Sequence, residues 1–164
     1  MTFPSQVNTV QAPAVAGAFA DSNPRATVDA GPGGLVAGTN GLLIAAFAWA
    51  DLVAGTAVNA GTGAPTGFVA NDHSALITTF LADNGLTIPQ GYPVTLFNAG
   101  SFWVKNTGAG AVTVGQKAFA SNTTGQIQFA AAGATVAGYT ETKWYAQSAA
   151  AAGELVKMTT WALG

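Results

Sequence analysis

This chain has no cysteine, a single histidine and very little charge. Its 164 residues include five Lys or Arg and seven Asp or Glu, a charged fraction of 7%, against roughly 25% in an ordinary soluble domain. The absence of cysteine excludes disulfides, cysteine-ligated zinc and thiol nucleophiles. Because a monomer normally relies on surface charge to avoid its own copies, this composition predicts a surface largely covered by protein. The alternative is a bias toward alanine in the genome.

The charge balance also limits the partners. The net charge is −2 and there is no basic run, so nothing attracts nucleic acid or anionic lipid. The mean hydropathy is positive, +0.35, but the uncharged stretch 30–50 is interrupted by five glycines, a proline and an asparagine, which a membrane-spanning helix does not tolerate. Residues 1–20 contain no Lys or Arg, so they lack the basic start of a signal peptide. We expect a soluble protein that is not secreted.

The hydrophobic pattern is that of an all-β protein. Predicted strands cover residues 42–49, 66–70, 93–97, 102–106, 112–120, 126–130, 139–147 and 154–161, with glycine-rich turns between them. This arrangement is typical of an antiparallel β-sandwich or barrel. Residues 42–49 are apolar on both faces, which predicts a strand that is buried on both sides or covered by a partner.

Two segments depart from the β pattern. Residues 72–82 have a capping residue at the start, apolar residues at helical spacing and Asn84-Gly85 as a stop signal, so we predict one short helix there. Residues 1–24 are rich in Pro and Ala, lack any period and carry one charge, which predicts an extended N-terminal arm lying on a neighbour or disordered. The remaining residues, 25–164, form one β-rich domain.

The residues of a catalytic site are missing. His73 stands between Asp72 and Ser74, but neighbours at a helix start point in different directions, whereas catalytic triads converge from separate segments. The carboxylates are scattered singly, so no pair has the spacing of a hydrolase acid and base. We therefore predict a protein that is not an enzyme and that has no metal site and no cofactor; a β-rich lyase or hydrolase remains an alternative.

The large aromatic residues are the candidate contact residues. Four tryptophans are present, and on a β-sandwich they allow a carbohydrate-binding or adhesin-like module as the alternative function. Packing in a core or between subunits is the simpler use of these side chains. The candidate interface residues are Phe3, Pro4, Val7 and Val10 in the arm, and Phe47, Trp49, Phe102, Trp103, Trp144 and Tyr145 in the strands.

Short segments spread over most of the chain carry a family resemblance. They are residues 1–4 (MTFP), 19–25 (FADSNPR), 67–71 (GFVAN), 75–82 (ALITTFLA), 88–96 (IPQGYPVTL), 102–106 (FWVKN), 115–120 (GQKAFA) and 153–158 (GELVKM). In these segments the chain resembles the structural cement, or capsid decoration, proteins of tailed bacteriophages. The match is weakest over residues 133–152, where alanine repeats.

The resemblance implies a specific function. Proteins of this kind are β-rich and non-enzymatic, bind the outer surface of an assembled capsid, and cement neighbouring capsomers at symmetry axes as dimers or trimers. The implied partners are the major capsid protein and further copies of this chain, with a trimer favoured over a dimer, and no nucleic acid or membrane. The implied location is the outer capsid surface of the virion, after synthesis in the cytoplasm of the bacterial host.

Overall fold

The structure, a computed structural model, describes residues 14–71 and 85–161. In these ranges all regular structure is β, and no helix is long and apolar enough to cross a bilayer. The strands are β1 Ala26–Thr27, β2 Leu35–Ala37, β3 Leu42–Leu43, β4 Phe47–Asp51, β5 Thr56–Val58, β6 Gly67–Val69, β7 Thr87–Ile88, β8 Pro93–Val94, β9 Leu96–Ala99, β10 Ser101–Lys105, β11 Lys117–Ser121, β12 Ile127–Ala130, β13 Tyr139–Ala146 and β14 Leu155–Thr159. The predicted helix at residues 72–82 lies outside the described residues.

The strands form three sheets. A seven-stranded sheet has the order β1-β9-β6-β4-β5-β2-β8, a five-stranded sheet has the order β10-β14-β13-β11-β12, and β3 pairs with β7. All three are open, so the all-β prediction is confirmed as a sandwich. The prediction of purely antiparallel pairing is wrong at one place: β2 and β5 are parallel. The chain forms β3 and β4 between β2 and β5, and β5 then runs in the same direction as β2.

The main core lies between the two large sheets. The seven-stranded sheet contributes Phe47, Phe68 and Phe97 to this core. The five-stranded sheet contributes Phe102 and Trp144, together with smaller residues from all five of its strands. The rings meet edge-on or tilted, with centroids 4.9 Å apart for Phe68 and Phe102 and 5.7 Å apart for Phe102 and Trp144. Such geometry is favourable for aromatic pairs, so these rings contribute to holding the two sheets together.

A second core covers the opposite face of the seven-stranded sheet. Ala48, Val69 and Leu96 point to that face, where they pack with Leu42 of β3 and with Ile88 of β7. The small β3–β7 sheet therefore acts as a lid. The prediction that residues 42–49 are buried on both sides is confirmed, since Phe47 lies in one core and Ala48 in the other.

The same segment is not one continuous strand, and that part of the prediction is wrong. Ala45 has a φ of 60°, a left-handed conformation that ends β3 before β4 begins. The side chain of Asn59 stabilises this break: its Oδ1 accepts the Leu43 N–H at 2.6 Å, and its Nδ2 donates to the Phe47 carbonyl at 3.0 Å. Apolar periodicity alone does not reveal such a break.

Most other strand predictions are confirmed. The segments predicted at 66–70, 102–106, 126–130, 139–147 and 154–161 correspond to β6, β10, β12, β13 and β14 within two residues. Two were predicted too long. Residues 93–97 divide into β8 and the start of β9, and the segment 112–120 is interrupted by a turn at Gly115, whose φ is 90°, so that β11 begins only at Lys117.

Residues 17–21, which we call the strap, lie along the free edge of β10. The Gly17 N–H donates to the Trp103 carbonyl at 2.7 Å, and the Trp103 N–H donates to the Ala18 carbonyl at 2.9 Å. An added Cβ at Gly17 would lie 2.8 Å from the Cβ of Asn71, so this close approach requires glycine. The described part of the predicted arm thus lies on its own domain, because the edge of β10 offers it hydrogen bonds. Residues 1–13 of the arm are outside the described residues, and their contact with a neighbour stays a prediction.

Candidate interaction surfaces

The reactive side chains are not brought together. Among the residues that the structure describes, no group of three or more His, Asp or Glu side chains could hold a metal ion. His73 lies outside the described residues. Four carboxylates accept backbone N–H groups in turns, at 2.8–3.2 Å: Asp29 from Gly31, Asp51 from Val53 and Ala54, Glu141 from Gly133, and Glu154 from Ala151. These carboxylates therefore stabilise turns.

Asp21 fixes the end of the strap. Its carboxylate lies 3.0 Å from the Nζ of Lys157 on β14, and its Oδ1 accepts the Asn23 N–H. Burial by itself would raise the pKa of Asp21. The hydrogen bonds from Lys157, Asn23 and Ser101, together with the positive charge of Lys157, outweigh burial and hold this pKa below its usual value. The Asp21 carboxylate is therefore charged in the folded protein at neutral pH.

The strap also contributes an aromatic side chain. Phe19 pairs with Phe102 in an antiparallel bridge, and its ring centroid lies 5.6 Å from that of Phe97 and 5.5 Å from that of Phe102. The guanidinium of Arg25 lies 3.9 Å from the centroid of the Phe19 ring, a favourable cation–π contact. The strap therefore extends the edge of the five-stranded sheet through an isolated bridge at Phe19, and it is held by backbone hydrogen bonds at Gly17 and by the ion pair of Asp21.

Three of the predicted interface residues are core residues. Phe47 and Phe102 are fully buried and Trp144 is 2% exposed, so these side chains have no surface left for another molecule. Their strands are covered by the facing sheet of the same chain. Trp49, Trp103 and Tyr145 are half-buried and stay candidates, whereas Phe3, Pro4, Val7 and Val10 lie outside the described residues.

Trp49 is partly covered by its own loop. A Cβ at Gly61 would overlap the indole ring, so glycine lets the loop lie flat against Trp49. The indole Nε1 donates to the Gly63 carbonyl at 3.1 Å. Trp144 is buried and Trp49 is partly covered by this loop, so neither ring is fully open for a sugar to stack on.

The described surface includes two concave sites. A cleft of about 250 Å³ lies where the two large sheets diverge, with Glu141, Lys143, Asn98 and residues 64–67 in its wall. The Lys143 ammonium donates to Asn98 and Glu141 accepts from Gly133, so its polar groups already have partners within the chain.

The second concave site is a groove of about 460 Å³ at one end of the seven-stranded sheet. We call it the tip groove. It lies between two turns and is lined by residues 30–34, Val36 and residues 52–55. None of these lining residues is charged. Val53 is 99% exposed and Leu52 is 53% exposed, so the tip of the β4–β5 hairpin presents two apolar side chains to the surroundings.

This tip was not predicted from the sequence. The prediction gave weight to large aromatic residues in strands, whereas the exposed apolar residues Leu52 and Val53 lie in a turn. The signal that could have found them is Asp51, whose carboxylate is suited to cap a tight turn and so places the following two residues at its exposed tip.

Together, these features define a β-sandwich with exposed apolar turns and, in its described part, no assembled reactive centre. The chain belongs to the XM1 gp53 minor capsid protein family, whose model matches residues 3–160. A chain of the solved capsid of Myoviridae phage XM1 has a similar fold, with a TM-score of 0.66 and 19% identity over 98% of each chain. No curated protein matches this sequence.

Family membership confirms the resemblance to phage capsid proteins. This protein is a structural, capsid-associated component of a bacteriophage virion. At 19% identity the solved chain shows a shared fold; the contacts made in that capsid are not transferred to this chain.

Proposed function

We propose that this protein binds the outer surface of an assembled phage capsid and cements neighbouring capsomers. It contacts the major capsid protein and further copies of itself, and it carries out no reaction. In the host cytoplasm, where it is made, it docks onto capsids that have already formed. This proposal refines the family assignment, which concerns a minor capsid protein in general.

The observation that carries the proposal is the contrast between the interior and the turns. In the described residues every buried side-chain nitrogen or oxygen has a hydrogen-bond partner, and the large aromatics fill the core. Apart from Val58 on β5, the exposed large apolar residues of the described chain lie outside the strands, and Val53, at the tip of the β4–β5 hairpin, is the most exposed of them. A fold that is complete by itself yet exposes apolar turns is suited to contact between proteins.

Cementing requires many weak contacts acting together. The affinity of a single interface of about 1,600 Å² can be micromolar or much tighter, because it depends on how well the two surfaces complement each other and not on area alone. An oligomer that contacts several capsomers raises the effective concentration of each remaining contact. We favour a trimer over a dimer, and this preference rests on the resemblance to decoration proteins.

The carbohydrate-binding alternative has less support. Trp144 is buried and Trp49 is partly covered by the loop at Gly61, which leaves Trp103 and Trp161 as the described tryptophans whose rings are neither buried nor covered by that loop. A row of exposed rings, which a sugar platform needs, would have to be built from these two.

A binding experiment tests the proposal. Purified protein is added to capsids of the same phage that lack it, and the bound copies per major capsid protein are counted after sedimentation. We expect saturation at a fixed ratio, with bound protein accessible to an antibody on intact particles. Binding that never saturates, or bound protein that the antibody reaches only after the shell is opened, would contradict the proposal.

A further inference from the structure

Three features of the tip groove have no explanation among the residues that the structure describes. Val53 is 99% exposed, although an apolar β-branched residue gains nothing in water. Leu52 beside it is half-exposed. The groove has no charged lining residue, although it lies at the surface of the molecule.

The third feature is Gly33. Its φ does not lie in the left-handed range, and a Cβ built on it would meet no atom of the described chain within 4 Å. Neither of the usual reasons for glycine, a positive φ or a close approach within the fold, therefore applies. By contrast, Gly31 and Gly34 have φ values of 69° and 67° and are required by the turn. The space beside Gly33 is open and belongs to the groove.

Both lips of the groove are fixed in place. Asp51 Oδ1 accepts the N–H groups of Val53 and Ala54, each at 2.9 Å, and Asp29 Oδ1 accepts the Gly31 N–H at 3.2 Å. The Val36 N–H donates to the Gly55 carbonyl at 2.9 Å and ties the two turns together. A preformed groove loses little conformational entropy when it is filled.

We propose that the tip groove binds residues 1–13 of a second copy of this chain. These thirteen residues (MTFPSQVNTVQAP) have no charged side chain and place Phe3, Val7 and Val10 among small and polar residues. An uncharged, partly apolar segment matches an uncharged groove with apolar lips. This inference rests on the part of the proposed function that makes the protein a homo-oligomer.

The positions of the segment and the groove fit a contact between copies. Residues 1–13 precede the strap, whose Phe19 packs on Phe97 of β9 near one edge of the seven-stranded sheet. The groove lies beside β2 and β5, toward the opposite edge of the same sheet. Thirteen extended residues span about 43 Å. A contact that joins two different patches is heterologous, and such contacts close into a ring when the rotation allows it.

Two matched substitutions test the groove. Gly33→Phe adds a ring at the groove from a position where a Cβ meets no atom within 4 Å, and Gly110→Phe adds the same ring at another glycine with no positive φ and no neighbour within 4 Å. Both variants are checked for an unchanged unfolding midpoint. In sedimentation velocity at micromolar concentration, we expect Gly33→Phe to weaken self-association at least tenfold and Gly110→Phe to behave like the wild type.

A mixing experiment identifies the occupant. Phe3→Asp damages the segment and Gly33→Phe damages the groove, so neither variant associates well alone. When the two are mixed, one intact groove meets one intact segment, and we expect a heterodimer. If the segment instead binds the groove of its own chain, mixing restores nothing and the proposal is wrong.

A cross-link measured on particles keeps the inference separate from the proposed function. A photoreactive residue at position 53 is introduced into the full chain, which is bound to capsids. We expect a cross-link to residues 1–13 of another copy. A cross-link solely to the major capsid protein, with wild-type binding by Gly33→Phe, would overturn the inference and leave the cement function standing. Failure of the wild type to bind capsids would instead count against the cement function.

Discussion

The two large sheets of this protein differ in where their charges lie. All four lysines of the chain are on the five-stranded sheet, on β10, β11, β13 and β14, together with Glu141. The seven-stranded sheet carries one charged residue, Asp51, at the end of β4. The reason is position, since the five-stranded sheet packs one face inward and has an outer face, whereas the seven-stranded sheet is a middle layer between two cores.

This difference changes the meaning of an apolar strand. In a fold of two sheets, each strand has one face in the core and one face outside. A strand that is apolar on both faces then suggests that a second subunit covers its outer face. Here the β3–β7 sheet supplies a third layer, so the second apolar face is satisfied within the chain. Exposed apolar side chains are found at turns such as the one at Leu52 and Val53, whereas Phe47, Phe102 and Trp144 of the aromatic strands are buried within the chain.

The most damaging substitution should lie in the core that joins the two sheets. Phe68 is fully buried and its ring lies 4.9–6.2 Å from those of Phe102, Phe47 and Trp144. Phe68→Ala should lower the free energy of unfolding by about 4 kcal/mol, from lost burial and the cavity left behind. Val53→Ala is the control, with a change within about 0.5 kcal/mol. Urea unfolding measures both. A small loss at Phe68 would show that the sheets are not held together by these rings.

A pair of leucines tests the third layer. Leu42 is fully buried in the second core, whereas Leu52 is half-exposed at the hairpin tip. Leu42→Ala should cost about 3 kcal/mol, and Leu52→Ala should cost well under about 1 kcal/mol, both measured by urea unfolding. Equal small losses would mean that the β3–β7 sheet does not cover the middle layer, and the contrast between the two large sheets would fail.

The break between β3 and β4 allows a smaller test. Asn59→Ala removes the amide that bonds the Leu43 N–H and the Phe47 carbonyl. Because half-buried backbone groups then lose their partners, we expect a cost of about 2 kcal/mol. Asn40→Ala, at an exposed turn position, is the control and should be nearly neutral. Unfolding midpoints of the two variants that do not differ would show that the break is stable without its amide.

The strap should give the weakest response. The pKa of Asp21 is lowered in the folded state, so its contribution to stability is fully present above the ordinary pKa of aspartate, about 3.9, and is lost as the pH falls through the folded value. Because the ion pair is partly exposed, Asp21→Asn should cost at most about 1 kcal/mol at pH 7. The gap between wild type and variant should close on acidification to about pH 2. A gap that does not change with pH would contradict this assignment.

Much of the fold could be predicted from the sequence, and the reasons are local. Alternating apolar residues between glycine turns identified β6, β10, β12, β13 and β14, because a period of two matches the alternation of side chains along a strand and not along a helix. The break at Ala45 and the parallel pairing of β2 with β5 depend on contacts between distant segments, such as those of Asn59. Neither leaves a local pattern.

The contact surface was harder to predict than the fold. Large aromatics such as Phe47 and Phe102 serve a core or an interface equally well, and only the packing of the sheets shows that these two are buried. Asp51 could have indicated the turn at Leu52 and Val53, but the tip groove forms only because a second turn, at Gly33, meets the first in space, and no local pattern shows that meeting.

The thermal stability of the capsid reveals whether this protein cements capsomers. Capsids of the same phage are heated with and without saturating amounts of the protein, and the temperature at which the shell releases its DNA is measured. We expect a higher release temperature with the protein bound, and a smaller rise with Gly33→Phe than with Gly110→Phe. Saturating binding with an unchanged release temperature would contradict the cement function.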